Sequence, residues 1–188
     1  MNVMKQPKLN LLLAGLLILA AGMSRVILFP NNPSPLIGIA LFSGAVISDK
    51  KLAFLLPVLS ILLSDVIFEV SGIAQGFWGW GQVVQYGILF LLTALAFTLK
   101  NWNAVKVAGY SIGSSLLFFV LSNLSFFLID NPVYHLYSSD LNGLKNCYIA
   151  ALPFLKKSLV ADLVYSTVLF GSYYLLQITA LKKQEQAA

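Results

Sequence analysis

Arg25-Val-Ile-Leu-Phe-Pro-Asn-Asn-Pro-Ser-Pro-Leu-Ile-Gly-Ile-Ala-Leu-Phe-Ser-Gly-Ala45 interrupts a chain that is otherwise almost continuously apolar. Pro30, Pro33 and Pro35 lie within six residues and forbid an unbroken helix, because proline lacks the amide proton and its ring clashes with the preceding turn. Asn31 and Asn32 between them carry amide groups that lipid cannot satisfy. A basic residue, Arg25, precedes the loop, and a short helix rich in small residues follows it. Such a loop suits the rim of a binding cavity between two apolar helices.

Working outward, the composition sets the class. Of 188 residues, 59% are hydrophobic and 10% are charged, with a mean hydropathy of +0.83. A soluble domain averages about 25% charged residues, so the chain is expected to be a polytopic membrane protein folded as one all-α bundle. The single cysteine excludes an intramolecular disulfide and spells out no Cys-based zinc site. A net charge of +5 without a patch of arginines among exposed aromatics argues against nucleic acid as a partner.

A membrane-crossing helix needs about 20 apolar residues. Six spans are expected at about 9–29, 36–48, 52–70, 82–99, 107–129 and 158–181. The apolar region from Cys147 to Leu181 is too long for one span, and it is divided near Pro153 to Lys157 into a surface or re-entrant helix and the sixth span. Lys5 and Lys8 followed by an apolar run resemble a signal peptide, but apolar character continues through Val26 to Phe29, which favours a retained first helix. With both termini cytoplasmic, Lys5, Lys8, Lys50, Lys51, Lys100, Lys106, Lys182 and Lys183 fall inside, and only Arg25, Lys145, Lys156 and Lys157 fall outside. That asymmetry satisfies the positive-inside rule.

The ionisable residues of the spans gather in the outer half: Arg25, Asp65, Glu69, Asp130, Lys156, Lys157 and Asp162. A charge at the bilayer centre costs about 2.5–3.5 kcal/mol on insertion scales, so such residues face a cavity or pair with one another. Asp65 and Glu69, four apart, share a helix face. Ser111, Ser114, Ser115, Ser122 and Ser125 read either as interhelical contacts or as cavity lining, and Asn123 needs a partner from another helix or a ligand. Ala40 and Gly44 read as close packing within the bundle or as a docking face. The turn Phe77-Trp78-Gly79-Trp80 fits an interfacial belt as well as it fits a stacking platform. His135 has no second histidine with which to build a zinc site, and Cys147 reads as a buried structural thiol, with metal ligation the weaker alternative. No nucleophile elbow, zinc-protease motif or phosphate-binding loop is present, so no enzyme activity and no cofactor are expected.

Arg25 with Pro30-Asn-Asn-Pro-Ser-Pro and Gly38-Ile-Ala-Leu-Phe-Ser-Gly, Leu56-Pro57 with Ser64-Asp65, Leu117-Phe118-Phe119 with Ser122-Asn123, Cys147-Tyr148 with Leu152-Pro153-Phe154, and Asp162 with Leu169-Phe170-Gly171 together resemble an uncharacterised family of small six-helix bacterial membrane proteins. That family is in turn similar to the substrate-binding S components of energy-coupling factor transporters. The resemblance implies an inner-membrane protein that captures a small solute, of vitamin or cofactor-precursor type, at an outward-facing pocket. It also implies a transmembrane coupling subunit and two ATPases as partners. The first helix departs from the docking pattern of many S components, offering Ala14-Gly15 and Ala21-Gly22 in place of Ala-x-x-x-Ala.

The ligand-contact residues expected on this reading are Arg25, Asn32, Asp65, Asn123, Lys157 and Asp162, with Arg25 and Lys157 placed to meet a carboxylate or phosphate. The alternative is a non-transporting accessory or structural subunit of a membrane complex, in which the same charges form ion pairs between helices.

Overall fold

The computed structural model describes residues 7–30 and 34–185. Asn32 lies outside the described residues, as does Lys5. The order is α1 (Pro7–Ile27), α2 (Leu36–Val46), α3 (Lys50–Ser71), α4 (Trp80–Ala96) and α5 (Ala104–Ser125). α5 runs through a π-helical turn, Phe126–Asp130, into the single-turn α6 (Asn131–Tyr134), and α7 (Leu141–Glu185) completes the bundle. No strand occurs among the described residues.

Four stretches are long and apolar enough to cross a membrane: Lys8–Ile27, Lys50–Ser71, Ala104–Tyr134 and Leu141–Thr179. They correspond to the expected first, third, fifth and last spans. The expected second and fourth spans are shorter, 11 residues in α2 and 17 in α4. At 1.5 Å per residue α2 is about 16 Å long, roughly half of a 30 Å hydrocarbon layer. Every residue from Leu36 to Gly44 is buried, as expected of a helix that is apolar all round. α2 is the central post, packed against α1, α3, α4, α5 and α7.

Small residues let the helices approach. A Cβ on Gly44 would strike the Thr93 carbonyl and stand 2.7 Å from the Ala96 Cβ, so α2 and α4 meet backbone to backbone. Gly22 in the same way accommodates Ser60, whose hydroxyl donates to the Ile18 carbonyl at 2.9 Å. Gly38 accommodates Tyr165 of α7. Ala40 and Gly44 are therefore used in packing within the bundle, not on an outer face.

The helix ends follow local chemistry. Asp49 accepts from the amides of Lys51 at 2.8 Å and Leu52 at 3.1 Å and so caps α3. Gly72, at φ 67°, ends α3 in the left-handed conformation that favours glycine. Asn103 caps α5 through the Lys106 amide at 2.9 Å, and Asp140 caps α7 through the Gly143 amide at 2.7 Å.

The division of the last apolar region near Pro153 is corrected: α7 is one helix through Pro153 and Lys157. A proline removes one intrahelical bond and bends a helix, but it does not end one held by a neighbour. α5 holds α7 on both sides of Pro153, before it through Tyr148, which donates to the Val120 carbonyl at 2.7 Å, and after it through the contact of Ser115 with Asp162.

The bundle surface is apolar on every long helix. Leu12, Leu16, Leu55, Leu59, Leu63, Phe90, Leu91, Leu116, Val120, Val160, Val164 and Val168 are all exposed. This continuous belt far exceeds the scattered apolar side chains of a protein surface that faces water.

Candidate functional site

The site lies at the end of the bundle where α1 and α3 finish and α4 begins. α1 carries Arg25 in its last turn, and α3 carries Ser64 and Asp65. Arg25 Nη1 donates to Asp65 Oδ1 at 2.7 Å and to Ser64 Oγ at 2.6 Å, while its guanidinium stands 5.5 Å from the Phe68 ring centroid. From α4, Gln82 Nε2 donates to Asp65 Oδ2 at 2.9 Å and the Tyr86 hydroxyl donates to the same oxygen at 2.6 Å. Asp65 is thus buried, ion-paired and hydrogen-bonded on both oxygens, the arrangement that makes a buried carboxylate tolerable.

Glu69 shares the face of Asp65 but does different work. Its Oε2 accepts from the amides of Gly76 at 3.0 Å and Phe77 at 3.3 Å, which ties down the turn between α3 and α4. That turn presents Trp78, whose amide donates to Gln82 Oε1 at 3.3 Å.

Below this network opens a cavity of about 240 Å³. Arg25, Asp65, Gln82 and Tyr86 line it together with Trp78, Gln85 and Phe118, and Ser34, Leu36 and Ile37 bring the start of α2 against it. Ser158 and Asp162 of α7 complete the wall. Asp162 is 2% exposed, and the Ser115 hydroxyl donates to its Oδ2 at 2.6 Å. Ser115 Oγ also lies 2.9 Å from the Ser111 carbonyl, so its one proton is contested. Among the described residues no cation stands beside Asp162.

A second cavity of about 160 Å³ adjoins the first across the shared residues Trp78 and Gln85, and Asp130, Ser122, Ser125 and Tyr134 line it. Ser125 Oγ is buried without a hydrogen-bond partner. A third, largely apolar cavity of about 420 Å³ lies between α5 and α7 near Trp102, Val107 and Phe170.

Of the expected ligand-contact residues, the structure brings together Arg25, Asp65 and Asp162. Asn123 is elsewhere, its amide donating to the Phe119 carbonyl of its own helix at 2.8 Å. Lys157 is exposed on α7 and is not part of the cavity wall. Cys147 is a buried free thiol whose nearest acceptor is the Asn123 carbonyl at 3.9 Å. No group of three or more metal-ligating side chains occurs among the described residues. The sequence reading passed over Gln82, Gln85 and Tyr86, although three polar groups at spacings of three and four in the apolar α4 are the signature of one polar face.

An all-helical bundle with span-length apolar helices around a short buried helix, and a polar cavity at one end, defines the structural class. The chain belongs to a family of unknown function, DUF6580, whose model matches residues 5–185. No curated protein and no solved structure matches it.

Proposed function

We propose that this is a polytopic membrane protein that binds a small solute in the 240 Å³ cavity and takes part in its uptake. The observation that carries the proposal is the cavity itself, lined both by the Arg25–Asp65–Gln82–Tyr86 network and by the Asp162 carboxyl, whose one hydrogen-bond partner is Ser115. Pockets that recognise small molecules combine apolar walls with a few fixed polar groups, and Trp78, Phe118, Ile37 and Ile61 supply such walls here. A cavity of 150 Å³ accepts benzene, so 240 Å³ suits a solute of about ten non-hydrogen atoms.

The exposed apolar belt supports the membrane setting. Lys8, Lys50, Lys51, Lys100 and Lys106 lie at the helix ends opposite the cavity, so the positive-inside rule turns the cavity outward and both termini to the cytoplasm. On this reading the setting is a bacterial inner membrane, and the likeness to S components suggests a coupling subunit with ATPases as the source of inward transfer. Nothing in the cavity specifies a reaction, which favours binding over catalysis.

The 2.7 Å pair of Arg25 and Asp65 also fits the second reading, an accessory subunit whose charges join helices. Native mass spectrometry of the protein, purified from its own cells in mild detergent, tests the two. A retained small molecule of defined mass, absent from Asp162→Asn, supports solute binding. An empty protein held in an unrelated membrane complex supports the accessory reading.

A further inference from the structure

Resting on that solute-binding reading, we infer that the solute is a small organic cation, an ammonium compound with an apolar body, for which Asp162 is the counter-charge and Asp130 a second carboxylate in the adjoining cavity. The two adjoining cavities carry one basic side chain, Arg25, and three carboxyl groups, Asp65, Asp130 and Asp162. Arg25 is matched to Asp65 at 2.7 Å. Asp130 and Asp162 have no cation beside them among the described residues.

The amino end of α2 also borders the larger cavity through Leu36 and Ile37. A helix terminus supplies about half a positive charge, which does not balance two carboxylates. An anionic solute would therefore meet an occupied arginine and two repelling carboxylates, whereas an ammonium group meets one unsatisfied carboxylate in each cavity.

The hydrogen bonding of the two buried carboxylates points the same way. Asp65 accepts from Arg25, Gln82 and Tyr86, whereas Asp162 has a single contact with a hydroxyl whose proton the Ser111 carbonyl also attracts. An ionised carboxylate so poorly provided is costly to bury unless a cation arrives to pair with it. Trp78, Tyr86 and Phe118 line the same space, and aromatic rings attract an organic ammonium and cover its apolar body. A bare inorganic ion would leave those walls unused. Trp78 and Gln85 line both cavities, so the spaces that hold Asp130 and Asp162 are direct neighbours.

The test reads the field in the cavity without needing the natural solute. In a Cys147→Ala background, Gln85→Cys and, separately, Ser158→Cys are placed in lipid nanodiscs and treated with a cationic trimethylammonium-ethyl or an anionic sulfonato-ethyl methanethiosulfonate. The rates are compared with those of a free thiol. The expected result is a cation-over-anion preference raised about tenfold or more above the free-thiol ratio, and reduced by Asp162→Asn and by Asp130→Asn. In addition, 2-phenylethylammonium chloride slows labelling more than sodium chloride at equal ionic strength. A ratio equal to that of the free thiol, or a preference for the anion, overturns the cation assignment and leaves the cavity reading standing. Equal rates in the two salts overturn its organic part. Failure of both folded variants to react with either reagent overturns the cavity reading itself.

Discussion

Replacing Asp65 by alanine removes the acceptor at which three helices meet. Arg25 from α1 and Gln82 and Tyr86 from α4 all donate to it within 2.9 Å, and Asp65 is 1% exposed. Asp65→Ala leaves a guanidinium that is only 17% exposed without its counter-charge, together with two donors that have lost an acceptor. Breaking a buried pair from one side costs about 3–5 kcal/mol. For a chain of this size each kcal/mol shifts the melting temperature by about 2–4 °C, so the expected fall is roughly 6–20 °C. Arg25→Ala is the milder change, because Gln82 and Tyr86 still hold the carboxylate. The double variant Arg25→Met with Asp65→Leu is expected to be more stable than Asp65→Ala alone, since the stranded charge is gone. Thermal unfolding in one detergent, followed by size-exclusion recovery of the three variants and the parent, measures this order. An Asp65→Ala protein melting within about 2 °C of the parent would refute the claim that this network joins α1, α3 and α4.

Three further outcomes follow from the packing and the caps. Gly44→Ala drives a methyl group into the Thr93 carbonyl and Ala96, and is expected to destabilise by about 1–3 kcal/mol, read as a lower melting temperature, whereas Gly87→Ala, which meets open space, is not. Asn131→Ala removes both bonds that pin the connection before α7, the 3.0 Å donation to the Tyr137 carbonyl and the 2.8 Å acceptance from the Tyr137 amide, and limited proteolysis is expected to cut residues 135–140 faster. At the α7 cap, the Gly143 amide and then the Ser138 hydroxyl hold the Asp140 carboxyl below its ordinary value. A depressed value stabilises the fold above the ordinary carboxylate range and loses that contribution as pH falls through the lowered value. The protection factor of the Gly143 amide, taken relative to the intrinsic exchange rate at each pH, is therefore expected to fall only at acid pH, and Asp140→Asn to remove that acid-dependent fall.

The helical class and most helix positions were legible because apolar runs separated by proline, glycine and lysine leave few alternatives. Three features were not. α7 reads as two segments because Pro153 and Lys156-Lys157 look like a break, but the contacts with α5 that carry the helix through that region join residues far apart in sequence. α2 reads as a span because its composition is that of one, and only its surroundings show a short central post. The outer cluster was legible as a set of charges, and Arg25, Asp65 and Asp162 do meet around one cavity. Which carboxylate is matched was not legible, since Asp65 and Asp162 sit in similar apolar contexts and differ in the α1 and α4 side chains that reach them.

The proline-rich loop and the cavity have one physical origin. A bundle whose central helix spans only about 16 Å leaves the remaining half of its centre to be filled by something other than that helix. At its carboxyl end α2 is sealed by Ala53, Thr93 and Ala96, and Ser43 donates to the Ala53 carbonyl at 2.7 Å. At its amino end Ser34, Leu36 and Ile37 stand at the edge of open space. Lengthening α2 outward by one turn would place about 5.4 Å of helix in that space. The prolines at 30, 33 and 35 prevent it. Shortening the central helix thus leaves room for the cavity where neighbouring helices deliver Asp65 and Asp162. A chain that restores helix there, with Pro33→Ala, Ser34→Ala and Pro35→Ala together, is expected to keep its fold and lose labelling at Gln85→Cys. Labelling at the parent rate would show that the cavity does not depend on where α2 begins.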